Sequence, residues 1–203
     1  MARVTQAEKA RTRERLIQTA AREFRANGVA GSSIPTLMDN VGLTHGTFYA
    51  YFANKDELVA ASCARGLEET VTSLMRRADA APPGQELRAV IERYLSAEHR
   101  DDPARGCVLP ALAGEIRRET AGVRHAFTEA LTHYFDQLAP LLSDPDPSVN
   151  ANREVVLASG MVGAILLARA VDDPALSDHI LNVCRDFYLA AFAPPDTAET
   201  AQE

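Results

Sequence analysis

Helix-breaking residues divide the chain into segments that have the length and the apolar spacing of α-helices. Apolar residues recur every three or four positions in these segments, and none shows the alternation that is typical of a strand. We therefore predict an all-α fold of about nine helices. The helices are expected at residues 6–27, from Ser32 or Ser33 to Asn40, at 44–52, 54–78 and 85–98, around Pro110, and at 121–142, 151–171 and 175–193.

Composition indicates a globular protein of the cytoplasm. Of 203 residues, 46% are hydrophobic and 24% are charged, which is enough apolar material for a large core. Cys63, Cys107 and Cys184 are far apart and form no disulfide framework, as expected in a reducing compartment. The apolar run at 155–171 contains Arg169 and is predicted to be a buried helix, so we expect no membrane span. The first residues lack a secretory signal, so we expect no export.

Charge is distributed unevenly between the two ends of the chain. The net charge is −7, yet residues 1–55 contain eight basic and four acidic side chains, which leaves the remainder at −11. A basic N-terminal part joined to an acidic body is the asymmetry expected when one end contacts nucleic-acid phosphates.

The segment 32–58 predicts a helix-turn-helix, because two short helices are joined by a tight turn that contains Gly42. Apolar side chains anchor both helices: Ile34, Leu37, Met38 and Val41 in the first, and Leu43, Phe48 and Phe52 in the second. The outward residues of the second helix are Thr44, His45, Thr47, Tyr49, Ala50 and Tyr51. None of these is acidic, so the surface is suited to the DNA major groove. The alternative is a helical hairpin with no DNA role.

The run from Val41 to Leu58, VGLTHGTFYAYFANKDEL, resembles the signature of TetR-type bacterial repressors. The resemblance covers residues 9–62 and departs from the family at Pro35 and at Met38-Asp39, where Ile-Ala is usual. It implies an all-helical homodimer with a DNA-binding domain at 1–53, a ligand-binding and dimerisation domain at 54–193, and a disordered tail at 194–203.

The resemblance also implies roles for individual residues in DNA binding. His45, Thr47 and Ala50 match base-contacting positions, and Tyr49, Tyr51 and Lys55 match phosphate-contacting positions. The remaining members of the predicted DNA surface are Ser33, Thr36, Thr44 and Gly46, of which Ser33 and Thr36 are expected to be phosphate anchors at a helix N-terminus. Arg3, Lys9 and Arg11 are expected to add contacts from the N-terminal arm.

The two final helices are predicted to form the dimer interface, as in the family. The first of them is apolar around most of its circumference, so it needs a packing partner on two sides. The predicted interface residues are Val156, Gly160, Gly163, Leu167, Ile180, Cys184 and Phe187. Burial of these residues within one subunit is the alternative.

The family places a small-molecule inducer among the middle helices. The candidate pocket residues are Tyr94, His99, Cys107, Phe127, Tyr134 and Met161. Each is also explained by ordinary core packing, and Cys107 is either an inert buried thiol or a reactive sensor whose pKa Arg105 lowers.

No catalytic or metal site is indicated by the sequence. His125, Glu129 and His133 share one helix face but lack a fourth ligand, so they are predicted to be a solvated or pocket-lining face. The chain contains no GxSxG, Walker A, GxGxxG or HExxH motif, which argues against an enzyme, and we expect no cofactor. A helical interaction module that does not bind DNA is a further alternative.

Overall fold

Every regular element among the described residues, 5–142 and 152–193, is a helix in this computed structural model. The α-helices are α1 (Gln6–Gly31), α2 (Ile34–Asn40), α3 (Lys55–Asp79), α4 (Glu86–Tyr94), α5 (Ala97–Asp101), α6 (Val108–Ile116), α7 (Ala121–Leu138), α8 (Arg153–Ala170) and α9 (Pro174–Phe192). Three short 3₁₀-helices cover His45–Ala50, Pro103–Arg105 and Ala139–Leu142. The all-α prediction is confirmed. Arg3, the predicted loop at 143–148 and the predicted tail at 194–203 lie outside the described residues.

The predicted helix at 85–98 was wrong, because the chain forms two helices there. α4 ends at Tyr94, and Ser96 begins α5 by accepting a hydrogen bond from the His99 backbone N–H at 3.2 Å. The ring nitrogen Nδ1 of His99 lies 2.7 Å from the Tyr94 carbonyl oxygen. The His99 side chain thus provides a hydrogen-bond partner for the Tyr94 carbonyl, at the point where the α-helix ends.

The predicted helix at 121–142 changes its winding near its end. α7 is α-helical to Leu138, and residues 139–142 form a 3₁₀-helix. Pro140 has no backbone N–H and its ring crowds the preceding turn, so the α-helical ladder does not continue through it. The helix predicted at 44–52 is also a 3₁₀-helix, at His45–Ala50.

Both ends of α1 are set by short-range interactions. Thr5 and Glu8 form a capping box, in which the Glu8 N–H donates to the Thr5 hydroxyl and the Thr5 N–H donates to the Glu8 carboxylate. The predicted break at Gly28 is present, since its φ of 75° and ψ of 165° are not helical. The predicted end of the first helix at Asn27 is therefore confirmed, and a separate short turn after the kink extends α1 to Gly31.

The described chain forms two compact units. One consists of the residues up to Thr70 together with Pro103–Thr132, and the other of Val71–Asp102 together with the described residues from His133 onwards. α3 and α7 contribute residues to both. In the first unit α1 packs against α2, α6 and the 3₁₀-helix 103–105, and in the second α8 and α9 pack against each other. The functional division at residues 53 and 54 stays a prediction.

Polar contacts join α6 to α1 inside the first unit. The Glu115 carboxylate accepts hydrogen bonds from the Val29 and Ala30 N–H groups at 2.9 and 3.3 Å, in the turn that follows Gly28. Arg25 is buried, and its Nε donates to the Ala104 carbonyl at 2.9 Å. Because both contacts use backbone groups, they hold the last turns of α1 at a defined position on α6 and on the 3₁₀-helix 103–105.

Candidate nucleic-acid interface

The helix-turn-helix is formed by α2, the turn at 41–44 and the 3₁₀-helix His45–Ala50, which we call the recognition helix. Ser33 caps α2 by accepting the Thr36 N–H at 3.2 Å. Pro35 lies in the first turn, where no backbone N–H is needed. Gly42 has a φ of 72°, which side-chain-bearing residues rarely adopt, and the Leu43 N–H closes the turn on the Met38 carbonyl at 2.9 Å.

Buried aromatic rings fix the recognition helix on the first unit. Phe48 and Phe52 are 0% and 1% exposed, and their rings stack with centroids 5.7 Å apart. The Arg13 guanidinium lies 4.7 Å from the centroid of the Phe52 ring and pairs with Glu57 at 3.2 Å. Met38 is fully buried. The unusual Met at this position therefore fills core space between the two helices.

The predicted DNA surface lies at the protein surface. Residues Ser33, Thr36, Thr44, His45, Gly46, Thr47, Tyr49 and Ala50 are exposed, and Tyr51 and Lys55 are half-buried. The Tyr49 ring, 62% exposed, packs edge-on against Phe48 at a centroid distance of 5.4 Å. No acidic residue occurs between positions 44 and 51. The surface thus has the shape and charge that the sequence predicted, and the DNA-contact roles of its residues stay predictions.

The hydroxyl groups of this surface differ in their hydrogen bonds. Thr44 has the extended backbone of an N-cap residue, as predicted, but its side chain makes no capping bond. Thr47 donates its hydroxyl proton to the Thr44 carbonyl oxygen at 2.7 Å. Ser33 and Thr36 share a hydroxyl–hydroxyl bond of 2.8 Å. The Thr47 side chain is therefore held in one orientation.

Lys55 has a structural role that sequence reasoning missed. Its Nζ donates hydrogen bonds to the carbonyls of Val29 and Ser32, both at 2.6 Å. The last turn of α1 contains no basic residue, so this ammonium supplies the donor that the final carbonyls need. The absence of a basic residue near the end of α1 was the feature of the sequence that could have indicated this role of Lys55. The predicted phosphate contact of Lys55 stays a prediction.

The start of α3 is capped by Asn54 and Glu57. Asn54 accepts the Glu57 N–H at 2.9 Å, and Glu57 in turn accepts the N–H of Ala53, the residue before Asn54, at 2.8 Å. The Ala53 N–H is the main cause that lowers the pKa of Glu57, with Arg13 adding to it. This cap positions the helix that directly follows the recognition helix.

An exposed apolar face covers α8 and α9. Val156 and Leu167 are each 58% exposed and Phe187 is 64% exposed, while Ile180 and Cys184 are half-buried. Contiguous exposed apolar side chains of this size mark protein contact surfaces. Val155, Leu166, Leu176 and Val183 extend the face. Burial within the subunit does not apply to Val156, Leu167 and Phe187, and the role of this face as a dimer interface stays a prediction.

Gly160 is used differently from the prediction. The sequence assigned it to the approach of a second subunit, but the space above it is filled by Tyr188 of the same chain, whose hydroxyl would lie 1.7 Å from an added Cβ. Gly163, by contrast, has no atom within 4 Å of such a Cβ. Of the two glycines, Gly163 remains open on the exposed side of α8.

The predicted pocket residues are distributed between the two units. Tyr94, His99, Tyr134 and Met161 are buried in the second unit, and Tyr94 and His99 meet edge-on with ring centroids 4.6 Å apart. In the first unit Cys107 is buried and accepts the Leu109 N–H at its Sγ, and Phe127 is half-buried. Two surface cavities of about 310 and 480 Å³ in the second unit are lined by other residues. The pocket stays a prediction.

The histidine-containing face of α7 is exposed. His125 and Glu129 lie 3.5 Å apart, and His133 is also at the surface. Among residues 5–142 and 152–193, no three His, Cys, Asp or Glu side chains are grouped so as to hold a metal ion.

Acid should destabilise the protein through His99. Burial lowers the pKa of His99 from 6.5 to about 4, and the Arg169 and Arg93 charges add to this effect. The unfolded chain therefore binds the proton more tightly than the folded protein does. The free energy of unfolding has its full value above about pH 6.5 and declines as the pH falls towards 4. We expect a loss of roughly 3 kcal/mol over this range, measured by urea unfolding at several pH values. His99→Gln should flatten the profile and exposed His125→Gln should not; equal slopes for His99→Gln and the unmodified protein would contradict this role.

No helix among the described residues has the length and apolar character needed to cross a bilayer.

Comparisons with known proteins agree with this geometry. The family model described as bacterial regulatory proteins, tetR family, matches residues 16–62, which contain the whole helix-turn-helix. An uncharacterized HTH-type transcriptional regulator of Mycobacterium tuberculosis is 28% identical over 186 residues, covering 88% of this chain and 94% of the relative. The nicotine-responsive transcriptional repressor HdnoR of Paenarthrobacter nicotinovorans is 31% identical over 83 residues, 41% of each chain.

The fold comparison extends over the full body of the protein. A crystal structure of a TetR-family transcriptional regulator from Cytophaga hutchinsonii matches with a TM-score of 0.73 and 24% identity, covering 93% of this chain and 98% of that one. The helix-turn-helix match, the relative of similar length and the shared all-α fold lead to one conclusion: residues 16–62 match the tetR family of bacterial regulatory proteins, and the chain as a whole is similar to TetR-type transcriptional regulators.

Proposed function

We propose that this regulator is a repressor that binds a palindromic operator as a homodimer and is released by a small-molecule inducer. The observation that carries the proposal is the exposed, non-acidic surface of the recognition helix at residues 44–51, held from behind by buried Phe48 and Phe52. Such a surface enters a major groove without charge repulsion. HdnoR, which is similar to this chain over 83 residues, is a nicotine-responsive repressor.

A dimer is supported by the apolar face of α8 and α9. One short recognition helix contacts few base pairs, whereas two copies related by a twofold axis contact successive major grooves about one DNA turn apart. Val156, Leu167 and Phe187 would be removed from water in such a dimer. A palindromic operator follows from the twofold symmetry.

Release by an inducer is a shift between two dimer conformations. The inducer would bind more tightly to a dimer whose recognition helices are misplaced for successive grooves, so it lowers the population that binds DNA. α3 begins three residues after the helix-turn-helix residue Phe52 and contributes residues to both units. It is the element we propose to connect inducer binding with the DNA-binding surface.

The proposal is tested by DNA binding of the purified protein. A gel-shift titration with the DNA that flanks its own coding region should give saturable binding that weakens steeply with salt, because lysine and arginine side chains displace counterions. Random DNA of equal length is the control. Equal affinity for both DNAs would contradict operator recognition, and no binding at any salt concentration would favour an interaction module.

Gly46→Ala should separate DNA binding from stability. A Cβ at Gly46 would have no atom within 4 Å, and its φ is not positive, so the fold itself does not require glycine. Alanine in a helix is more favourable by about 0.5–1 kcal/mol. If glycine is present so that DNA approaches closely, the variant should melt at the same or a higher temperature yet bind operator about tenfold more weakly. Unchanged affinity would show that DNA does not approach Gly46.

A further inference from the structure

The winding of the recognition helix determines which side chains line up. A 3₁₀-helix has three residues per turn, so residues i and i+3 eclipse one another. The row that contains His45 and Phe48 is anchored by the buried Phe48, while His45 is exposed at the start of the helix. Thr47 and Ala50 form a second row, and both are exposed. An α-helix would have placed these two residues 60° apart.

The donor of the Thr47 hydroxyl is already used, so the methyl group is the group that Thr47 can offer to an apolar partner. The hydroxyl has a single proton, which it donates to the Thr44 carbonyl at 2.7 Å. This bond points the oxygen back along the helix and holds χ1 in one rotamer, so the methyl group and the hydroxyl cannot exchange places. Towards an outside partner, Thr47 has no free donor.

Ala50 offers only a methyl group. It is exposed and lies one 3₁₀ turn after Thr47. Two methyl-bearing side chains thus occupy consecutive positions of one outward row, and neither is charged. The hydrogen-bonding side chains of the recognition helix, His45 and Tyr49, belong to the other two rows.

The DNA major groove contains one apolar group, the C5-methyl of thymine, and alanine and the threonine methyl are side-chain groups that contact it. We infer that Thr47 and Ala50 recognise thymine methyl groups in each operator half-site, with Thr47 acting through its methyl and not through its hydroxyl. The inference rests on the proposed operator binding. It assigns a thymine to the base pairs that face these two residues.

Uracil substitution tests the inference on the DNA side. The operator is first defined by selection from random DNA, and each thymine of a half-site is then replaced by deoxyuridine, which keeps the base pair and every hydrogen-bonding group. Affinity should fall about fourfold for each contacted methyl and should not change for thymines outside the half-sites. Half-sites without thymine, or uracil substitutions without effect, would overturn the inference.

A matched pair of variants tests it on the protein side. Thr47→Val keeps a methyl group and removes the hydroxyl, whereas Thr47→Ser keeps the hydroxyl and removes the methyl. Thr47→Val should bind the thymine operator nearly as well as the unmodified protein, and Thr47→Ser should bind about fourfold more weakly and no longer respond to uracil at its position. Tight binding by Thr47→Ser with weak binding by Thr47→Val would show that the hydroxyl reads the base.

Thr47→Ser and uracil substitution together form one double-mutant cycle, and Ala50→Gly with uracil substitution forms a second. Ala50→Gly should remove the uracil effect at one position and leave the effect at the Thr47 position, and thermal unfolding checks that the variant is folded. An unchanged uracil effect at every position would exclude Ala50 from the contact. If the unmodified protein binds no operator saturably, the proposed function itself fails; saturable binding without any uracil effect refutes only this inference.

Discussion

Leu167→Glu combined with Phe187→Glu is expected to convert the protein to a monomer and to lower operator affinity by about a hundredfold or more. Leu167 and Phe187 are 58% and 64% exposed and lie on the apolar face of α8 and α9. If that face is the dimer interface, each substitution places an unpaired carboxylate in a buried apolar contact, which is strongly destabilising. A monomer cannot bind both half-sites of the operator at once. Simultaneous binding of two linked sites typically raises affinity by two to four orders of magnitude.

Light scattering after size exclusion measures the mass, and the same gel-shift titration measures affinity. Asn182→Glu is the matched control, because residue 182 is exposed on α9 but lies about 140° around the helix from Phe187. The control should remain dimeric and bind operator normally. A double variant that stays dimeric, or an unmodified protein that is monomeric at micromolar concentration, would contradict the proposed assembly.

Gly28→Ala is expected to reduce the free energy of unfolding by about 2–4 kcal/mol. With a φ of 75° and a ψ of 165°, Gly28 occupies a backbone region that is essentially restricted to glycine. An added Cβ would also lie 2.4 Å from the Glu115 carboxylate oxygen. The carboxylate must then withdraw, which weakens its hydrogen bonds from the Val29 and Ala30 N–H groups.

Urea unfolding followed by circular dichroism measures this loss. Gly31→Ala is the control three residues further on, where φ is not positive and the nearest atom to an added Cβ is 3.7 Å away. Alanine there should leave stability unchanged or raise it by about 0.4–1 kcal/mol. Equal effects of the two substitutions would show that the conformation of Gly28 is not required.

Local patterns predicted the helices and the helix-turn-helix well. Helical periodicity, the capping residues Ser33 and Asn54, and the break at Gly28 depend on residues a few positions apart, so they can be recognised in a sequence. Two errors occurred where a side chain intervened from a few residues away. His99 takes the Tyr94 carbonyl and separates α4 from α5, and Pro140 ends the α-helical ladder of α7.

Contacts between distant segments left little or no signal in the sequence. The sequence indicated a phosphate contact for Lys55 but not that its ammonium donates to the carbonyls of Val29 and Ser32, 26 and 23 residues away. Gly160 was assigned to a second subunit, but Tyr188 of the same chain covers it. Glu115 was not singled out at all, although it holds the end of α1. Each of these partners is chosen by how helices pack, which no short stretch of residues specifies.

By itself, the sequence determined that the chain is helical, that a non-acidic surface follows the turn at Gly42, and that the segments of α8 and α9 have broad apolar faces. These properties depend on residue type and spacing alone. Tertiary structure decided that the recognition helix winds as a 3₁₀-helix and that the Thr47 hydroxyl donates to the Thr44 carbonyl. It did so because burial of Phe48 and Phe52 sets the path of the backbone, and that path determines which groups remain free for a partner.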